Sequence, residues 1–226
     1  IPKRDWSSDV CSSDLADEVF AIGIDQIAAV FVSGTTRRKY EKEPVHLEVV
    51  GTRYRLDAEA FFQANRFLLE GFVNEVIRQC GPSPGDVLDL FCGSGFFTIP
   101  LAKICSRIIG VENGRPAVKI AHTNARMNGV QNAQFELGEV DALLENADVK
   151  PDMVLLNPPR AGAGVKVTTQ VAELKPTRVV YVSCNPSTFA REAGVLCGRG
   201  YALSEVTMID QFPNTYHIEL VARFER

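Results

Sequence analysis

At 226 residues, 46% of them hydrophobic and 23% charged, the chain has enough apolar material for one well-buried α/β domain with a small appendage and too little for two full domains. Its net charge of −4 argues against a general nucleic-acid coat, although a local basic face outweighs a global balance where it occurs. No apolar run reaches the ~18 residues of a membrane span, and no basic segment leads into an apolar core, so membrane insertion and secretion are not expected and the cytoplasm is the expected compartment. Cysteines at 11, 80, 92, 105, 184 and 197 include no Cys-x-x-Cys pair, so spacing supports neither a metal site nor a disulfide framework.

Residues 1–15, IPKRDWSSDVCSSDL, have no period that would bury a face, and residues 5–15 resemble a translated sequencing adapter. The stretch is expected to be an artefact or a disordered tail, with the natural protein beginning further upstream, and Trp6 and Cys11 then carry no structural meaning. Residues 16–56 read as the remnant of a β-rich region. Alternation in VFAIGI, IAAVFVSG and VHLEVVG suggests short strands, with Arg37-Arg38-Lys39 in a polar connection. From residue 57 to 226 the pattern changes. Phe61/Phe62, Leu68/Leu69, Phe72/Val73 and Val76/Ile77 make the stripe of an amphipathic helix over 58–78, which Pro82, Pro84 and Gly85 stop.

Strands VLDLF, RIIGVE, QFEL, DMVLLN and RVVYVS then alternate with helices that run to Cys105, over 116–128 and after Pro186. ALSEVTMI and HIELVARF follow with only DQFPNTY between them. Repeated βα units specify a parallel sheet covered on both faces. The expected fold is therefore α/β and Rossmann-like: a largely parallel seven-stranded sheet with an antiparallel closing strand, plus the small N-terminal β-rich remnant.

Asp89-Leu90-Phe91-Cys92-Gly93-Ser94-Gly95-Phe96-Phe97 follows a buried strand and opens a helix. Gly93 and Gly95 let the backbone turn tightly and approach a ligand at the strand's carboxyl end. Glu112 stands about 20 residues on, at the next strand end, where a carboxylate can take ribose hydroxyls. Glu139, after the third strand, could meet an adenine edge. Lacking the third glycine of the dinucleotide fingerprint and any Gly-Lys-Ser/Thr loop, the segment favours S-adenosylmethionine over NAD or ATP.

Asn157-Pro158-Pro159-Arg160 ends the fourth strand, and the prolines hold Asn157 rigidly where its amide can both donate to and accept from a planar base. The next strand ends in Ser183-Cys184-Asn185-Pro186, where the first turn of a helix favours the thiolate form of Cys184. Cys80, Cys92, Cys105 and Cys197 read as buried apolar fillers. Glu219, opening the last strand, places a carboxylate at the sheet's edge that could remove a proton or could simply be an exposed charge. These parts match one chemistry. Uracil C5 is a poor nucleophile until a thiolate adds at C6, after which C5 takes a methyl group and a base must remove its hydrogen.

At these residues the chain resembles the RNA 5-methyluridine methyltransferase family, in particular its bacterial 23S ribosomal RNA uracil-C5 branch, from about Tyr54 to Phe224. The resemblance makes 57–226 a class I S-adenosylmethionine-dependent methyltransferase domain and implies RNA as partner, with ribosomal RNA ranked ahead of transfer RNA and both left open. It gives Gln63, in Phe61-Phe62-Gln63-Ala64-Asn65, a contact to S-adenosylmethionine, places Phe91 and Phe96 at cofactor-contacting positions, and makes Glu112 the ribose carboxylate. It makes Cys184 the nucleophile and Glu219 the proton acceptor. Two departures stand out: the family usually has Asp where Asn157 stands, and often Asn where Phe96 stands. The oligonucleotide-binding barrel and the iron–sulfur site of clustered cysteines that members carry are expected only in a missing N-terminal part. An amino-group methyltransferase acting on adenine or glutamine also suits Asn-Pro-Pro, but an aromatic residue usually follows the prolines there, and here it is Arg160. A non-catalytic RNA-binding module that keeps the pocket is the third reading.

Overall fold

The computed structural model describes residues 29–32, 38–41, 44–57, 59–63, 65–146 and 149–226. Residues 1–15, the VFAIGI stretch and Arg37 lie outside the described residues. Two antiparallel hairpins come first: β1 (Ala29–Val32) with β2 (Arg38–Glu41), and β3 (Val45–Val49) with β4 (Thr52–Leu56). Arg38 and Lys39 thus belong to a strand, paired with Val32 and Phe31, rather than to a polar connection. Hairpin pairing runs through the backbone and is indifferent to a local run of charge. In the second hairpin Val50 (φ 49°) and Gly51 (φ 61°) both take left-handed conformations, the two-residue turn whose twist matches that of the flanking strands.

The remaining elements are α1 (Leu69–Cys80), β5 (Asp86–Leu90), α2 (Thr98–Ala102), β6 (Arg107–Glu112), α3 (Arg115–Met127), β7 (Ala133–Leu137) and α4 (Val140–Asn146), followed by β8 (Met153–Leu156), α5 (Gly164–Leu174), β9 (Arg178–Ser183), α6 (Pro186–Gly198), β10 (Ala202–Ile209) and β11 (Glu219–Glu225). Strands β5 to β11 form one seven-stranded sheet in the order β10-β11-β9-β8-β5-β6-β7. The β5, β6, β7, β8 and β9 pairings are parallel, and β11 runs antiparallel to both β9 and β10. The chain moves outward from β5 in one direction through β6 and β7 and in the other through β8 and β9. The crevice above β5 and β8 is the switch point where such sheets bind ligands.

Alternate residues of one strand feed two cores. Leu155, Val180, Val182 and Val221 meet Phe72, Val73 and Val76 of α1 on one face. Val154, Leu156, Val179 and Tyr181 meet Val167 and Val171 of α5 and Leu196 of α6 on the other. This period of two, apolar on both faces, is why MVLL and RVVYVS read as nearly continuous hydrophobic runs.

Three expectations are corrected. The helix expected over 58–78 begins only at Leu69, and Phe61 and Phe67 stand 74% and 81% exposed. Side-chain oxygens of Asp57 and Asn65 accept from the backbone N–H groups of Glu59 (3.0 Å) and Phe67 (3.1 Å), and the Asn65 amide donates to the Gln211 carbonyl (2.9 Å). Such local bonds offer the backbone an alternative to helix. Strand β11 is not at the sheet's edge: β10 covers it, and Glu219 is 8% exposed. Of the cysteines read as buried fillers, Cys80 and Cys92 are buried, whereas Cys105 is half-buried and Cys197 exposed near the end of α6. Among the described residues, no helix is long and apolar enough to cross a membrane.

Candidate active site

The parallel strands end at one rim of the sheet, and antiparallel β11 begins there, so Phe91, Gly93, Gly95, Glu112, Glu139, Asn157, Cys184 and Glu219 come to that rim. Strand β5 ends at Leu90, and Phe91 then takes φ 63°, a left-handed conformation uncommon for a residue with a bulky side chain. Gly93 (φ 56°) and Gly95 (φ 83°) complete the reversal into α2. A Cβ at Gly93 would meet nothing within 4 Å, so the loop's backbone lies open to a ligand.

Glu112, at the end of β6, accepts from the Gly93 N–H (3.1 Å) with one oxygen and from the Gly114 N–H (2.7 Å) with the other. It therefore ties the glycine loop to the start of α3. Beside it, Glu139 accepts from the Asn113 amide (3.1 and 3.3 Å). Asp89 lies beneath the loop at 1% exposure, where one oxygen accepts from the Thr98 hydroxyl (2.5 Å) and Oδ1 has no partner. Burial pushes its carboxyl up to about 7. An open glycine backbone, two strand-end carboxylates and an orphaned buried oxygen are a donor set that fits an adenosyl sulfonium compound.

The Phe96 ring packs in the core, 6% exposed, with centroids 5.5 Å from Tyr54, 5.1 Å from Phe62 and 4.9 Å from Phe97. Its carbonyl accepts from the Tyr54 hydroxyl at 2.8 Å. An Asn at this position would bury an amide among those rings. Gln63 is half-buried in the irregular segment that Phe62 anchors to the same cluster.

Asn157, half-buried, follows β8 directly, its N–H donating to the Leu90 carbonyl (3.2 Å). Cys184 follows β9 and is also half-buried. The register sets Leu220 opposite Ser183, so the next positions outward are Glu219 on β11 and Cys184 after β9. Asn185 caps α6, accepting from the Ser187 N–H (3.1 Å) and the Thr188 N–H (3.5 Å), and donates from its amide to the Arg160 carbonyl (3.2 Å). The loops after β8 and β9 are thereby joined.

The expectation of a helix-lowered thiol is corrected here. Burial, then the Glu219 carboxylate, pushes the Cys184 thiol up, while the Arg160 guanidinium draws it back. Burial likewise raises Glu219 from 4.5 to about 7, against the opposing pull of Arg160. Arg160 was singled out on the sequence only for not being aromatic. Its signal was a cation two prolines past Asn157, beside a strand ending in Cys. Its Nη2 lies 3.3 Å and 3.5 Å from the two ring nitrogens of His217, whose contribution the sequence did not indicate. Buried Glu192 fixes the turn that carries Arg160, accepting from the N–H groups of Ala163 (3.0 Å) and Gly164 (3.1 Å) and from the Tyr181 hydroxyl.

Residues 26–226 match the family model described as tRNA (Uracil-5-)-methyltransferase. An RNA methyltransferase of Caldanaerobacter subterraneus subsp. tengcongensis is 37% identical over 188 residues, 83% of this chain and 42% of that protein. The 23S rRNA (uracil(1939)-C(5))-methyltransferase RlmD of Shewanella sp. (strain ANA-3) is 44% identical over 168 residues, 73% of this chain and 37% of that protein. Among solved structures, the Pyrococcus abyssi tRNA (uracil-54, C5)-methyltransferase in complex with S-adenosyl-L-homocysteine superposes with a TM-score of 0.75 at 30% identity, covering 88% of this chain and 51% of that one. The chain spans about two fifths of the length of the curated relatives it matches.

Proposed function

The chain belongs to the tRNA (uracil-5-)-methyltransferase family, and on that premise we propose that it methylates C5 of a uridine in RNA, using Cys184 as a covalent nucleophile. The observation that carries this reading is the pairing of β11 with β9, which sets Glu219 beside Cys184 at the sheet rim that also holds the glycine loop. An amino-group methyltransferase needs neither residue. Likeness to a relative named for 23S rRNA, at 44% identity against 30% for the solved tRNA enzyme, supports ribosomal RNA as the substrate.

Gln63, Phe91, the Gly93 and Gly95 backbone, Glu112 and Glu139 would hold S-adenosylmethionine, which when bound supplies an electrophilic methyl group at C5. The chain's own residues do the rest. Asn157 holds the base edge with its amide, which pairs with both N3–H and O4 of uracil. Cys184 rests as a thiol, since its surroundings push it up, and gives up its proton to solvent as it attacks, with Arg160 favouring the thiolate form. The sulfur bonds to C6, and the electrons of the C5–C6 double bond move toward O4, making C5 nucleophilic. Once C5 is methylated, Glu219 removes its hydrogen as a proton. The electrons left behind restore the C5–C6 double bond and expel the Cys184 sulfur, which Arg160 steadies as thiolate.

RNA in which 5-fluorouracil replaces uracil tests the scheme, because a fluorine at C5 leaves no proton to remove. With S-adenosylmethionine present, a protein–RNA adduct stable to denaturing electrophoresis is expected and is lost in Cys184→Ala. Methyl transfer to ordinary RNA without any adduct on the fluorinated RNA would overturn it. Glu219→Gln is expected to accumulate adduct on unmodified RNA.

A further inference from the structure

A cleft of about 490 Å³ opens between the irregular segment before α1 and the connection from β10 to β11. One wall carries Asn65, Arg66 and Phe67, the other Gln211, Phe212 and Thr215. The two walls are tied by the bond from the Asn65 amide to the Gln211 carbonyl. Phe67 is 81% exposed, with the Arg66 guanidinium 4.8 Å from its ring centroid, so a cation and an aromatic face stand together at the mouth.

Gln211 is the unusual member. It is 2% exposed, lines the cleft, and neither its Nε2 nor its Oε1 has a hydrogen-bond partner. An unpaired buried amide is costly, and every such group in a folded protein calls for a reason. A donor and an acceptor side by side on a planar group match the edge of a nucleobase, and a neighbouring ring with its arginine matches the base's face and the adjoining phosphate. The cleft also adjoins the active site. The Phe212 ring lies 6.0 Å from that of His217, and His217 in turn meets Arg160.

We propose that this cleft is a nucleobase subsite, which takes one unstacked base of the RNA next to the target uridine, stacked at Phe67 and read along its edge by the Gln211 amide. The proposal rests on the reading of the chain as an RNA-uridine methyltransferase and adds how a flanking nucleotide is held. Gln211 acts in binding; it touches no reacting atom.

The test is fluorescence anisotropy with the whole chain and a fluorescein-labelled 11-nucleotide single-stranded RNA, all adenosine except a central uridine, into which an abasic site is placed at each flanking position in turn. One abasic position next to the uridine is expected to weaken binding by the wild type about tenfold, the loss typical of one stacked base. Gln211→Met and Phe67→Ala should each weaken the intact RNA several-fold and no longer respond to that abasic site. Gln211→Met should also melt higher than the wild type, since it removes an unpaired buried amide, an outcome that separates lost recognition from lost folding.

A flat abasic scan, or variants that keep the full abasic response, overturns the subsite. Self-association abolished by Phe67→Ala alongside a flat scan would assign the patch to chain–chain contact instead. If tritiated methyl transfer to uridine occurs while the scan is flat, only the subsite fails. If the abasic coupling holds while replacing the central uridine by adenosine changes nothing, the uridine reading fails and the subsite stands.

Discussion

Replacing Glu219 by Gln should stabilise the protein as it disables it, and the gain should depend on pH. Glu219 is 8% exposed, and burial moves its carboxyl from 4.5 to about 7 even with Arg160 nearby. Below pH 4.5 the group is protonated in the folded and the unfolded chain and contributes nothing to the difference. Between 4.5 and about 7 the unfolded chain releases the proton while the folded one keeps it, so folding stability falls by about 1.4 kcal/mol per pH unit. Above about 7 the loss is complete, roughly 3 kcal/mol, because the ionised carboxylate is then buried in the folded state. Glutamine keeps the shape without the charge and escapes the loss. Urea unfolding of wild type and Glu219→Gln at pH 5 and pH 8.5, both with Cys184 replaced by Ser, measures the difference directly, and titrating groups not in contact with Glu219 cancel between the two proteins. The variant should exceed the wild type by about 1 kcal/mol at pH 5 and by about 3 kcal/mol at pH 8.5. Equal stabilities at both pH values would refute the burial argument, and a variant less stable at pH 8.5 would show that the ionised carboxylate contributes a favourable interaction instead.

Three further outcomes are expected. Alkylation of Cys184 by iodoacetamide at pH 8, followed by peptide mass spectrometry, should run several-fold slower in Arg160→Ala and faster in Glu219→Gln, because the first removes the cation that favours thiolate and the second the charge that opposes it. Glu112→Ala should weaken S-adenosylhomocysteine binding at least tenfold by calorimetry, since it frees the glycine loop from α3 as well as removing the carboxylate proposed to take the ribose. Glu192→Ala should cost about 3 kcal/mol in denaturant unfolding by orphaning the Gly164 N–H and the Tyr181 hydroxyl proton and leaving the Ala163 N–H only the Tyr181 oxygen, and should lower turnover by loosening the turn that holds Arg160.

The strands of the sheet were legible because burial on both faces writes a continuous apolar run, and RVVYVS is observed over the very residues expected, Arg178–Ser183. The glycine loop was legible because only a left-handed turn at a strand end requires that spacing. Helix α5 is not legible in the sequence, although Val167, Thr168, Val171 and Ala172 mark its buried face, because Gly164 and the preceding Pro-Arg-Ala-Gly suggest only a turn. The sequence pattern starts helix α1 too early, because Phe61, Phe62 and Leu68 fit a helical stripe that Asn65, bonded to Gln211 far along the chain, prevents. Long-range bonds of this kind leave no local pattern. The same holds for Glu219, whose burial depends on β10 lying outside β11, and for the partners of Arg160, which come from separate loops.

The insertion of β11 between β9 and β10 makes the order of synthesis matter for the chemistry. The glycine loop, Asn157 and Cys184 are all made before Glu219, and β10 has no place in the sheet until β11 arrives to bridge it. On the proposed scheme, a chain lacking its last strand would hold a nucleophile without the base that releases it, and would stay bound to any uridine it methylated. Because the strand that completes the sheet also begins with the residue proposed to end the reaction, turnover is conditional on folding to completion.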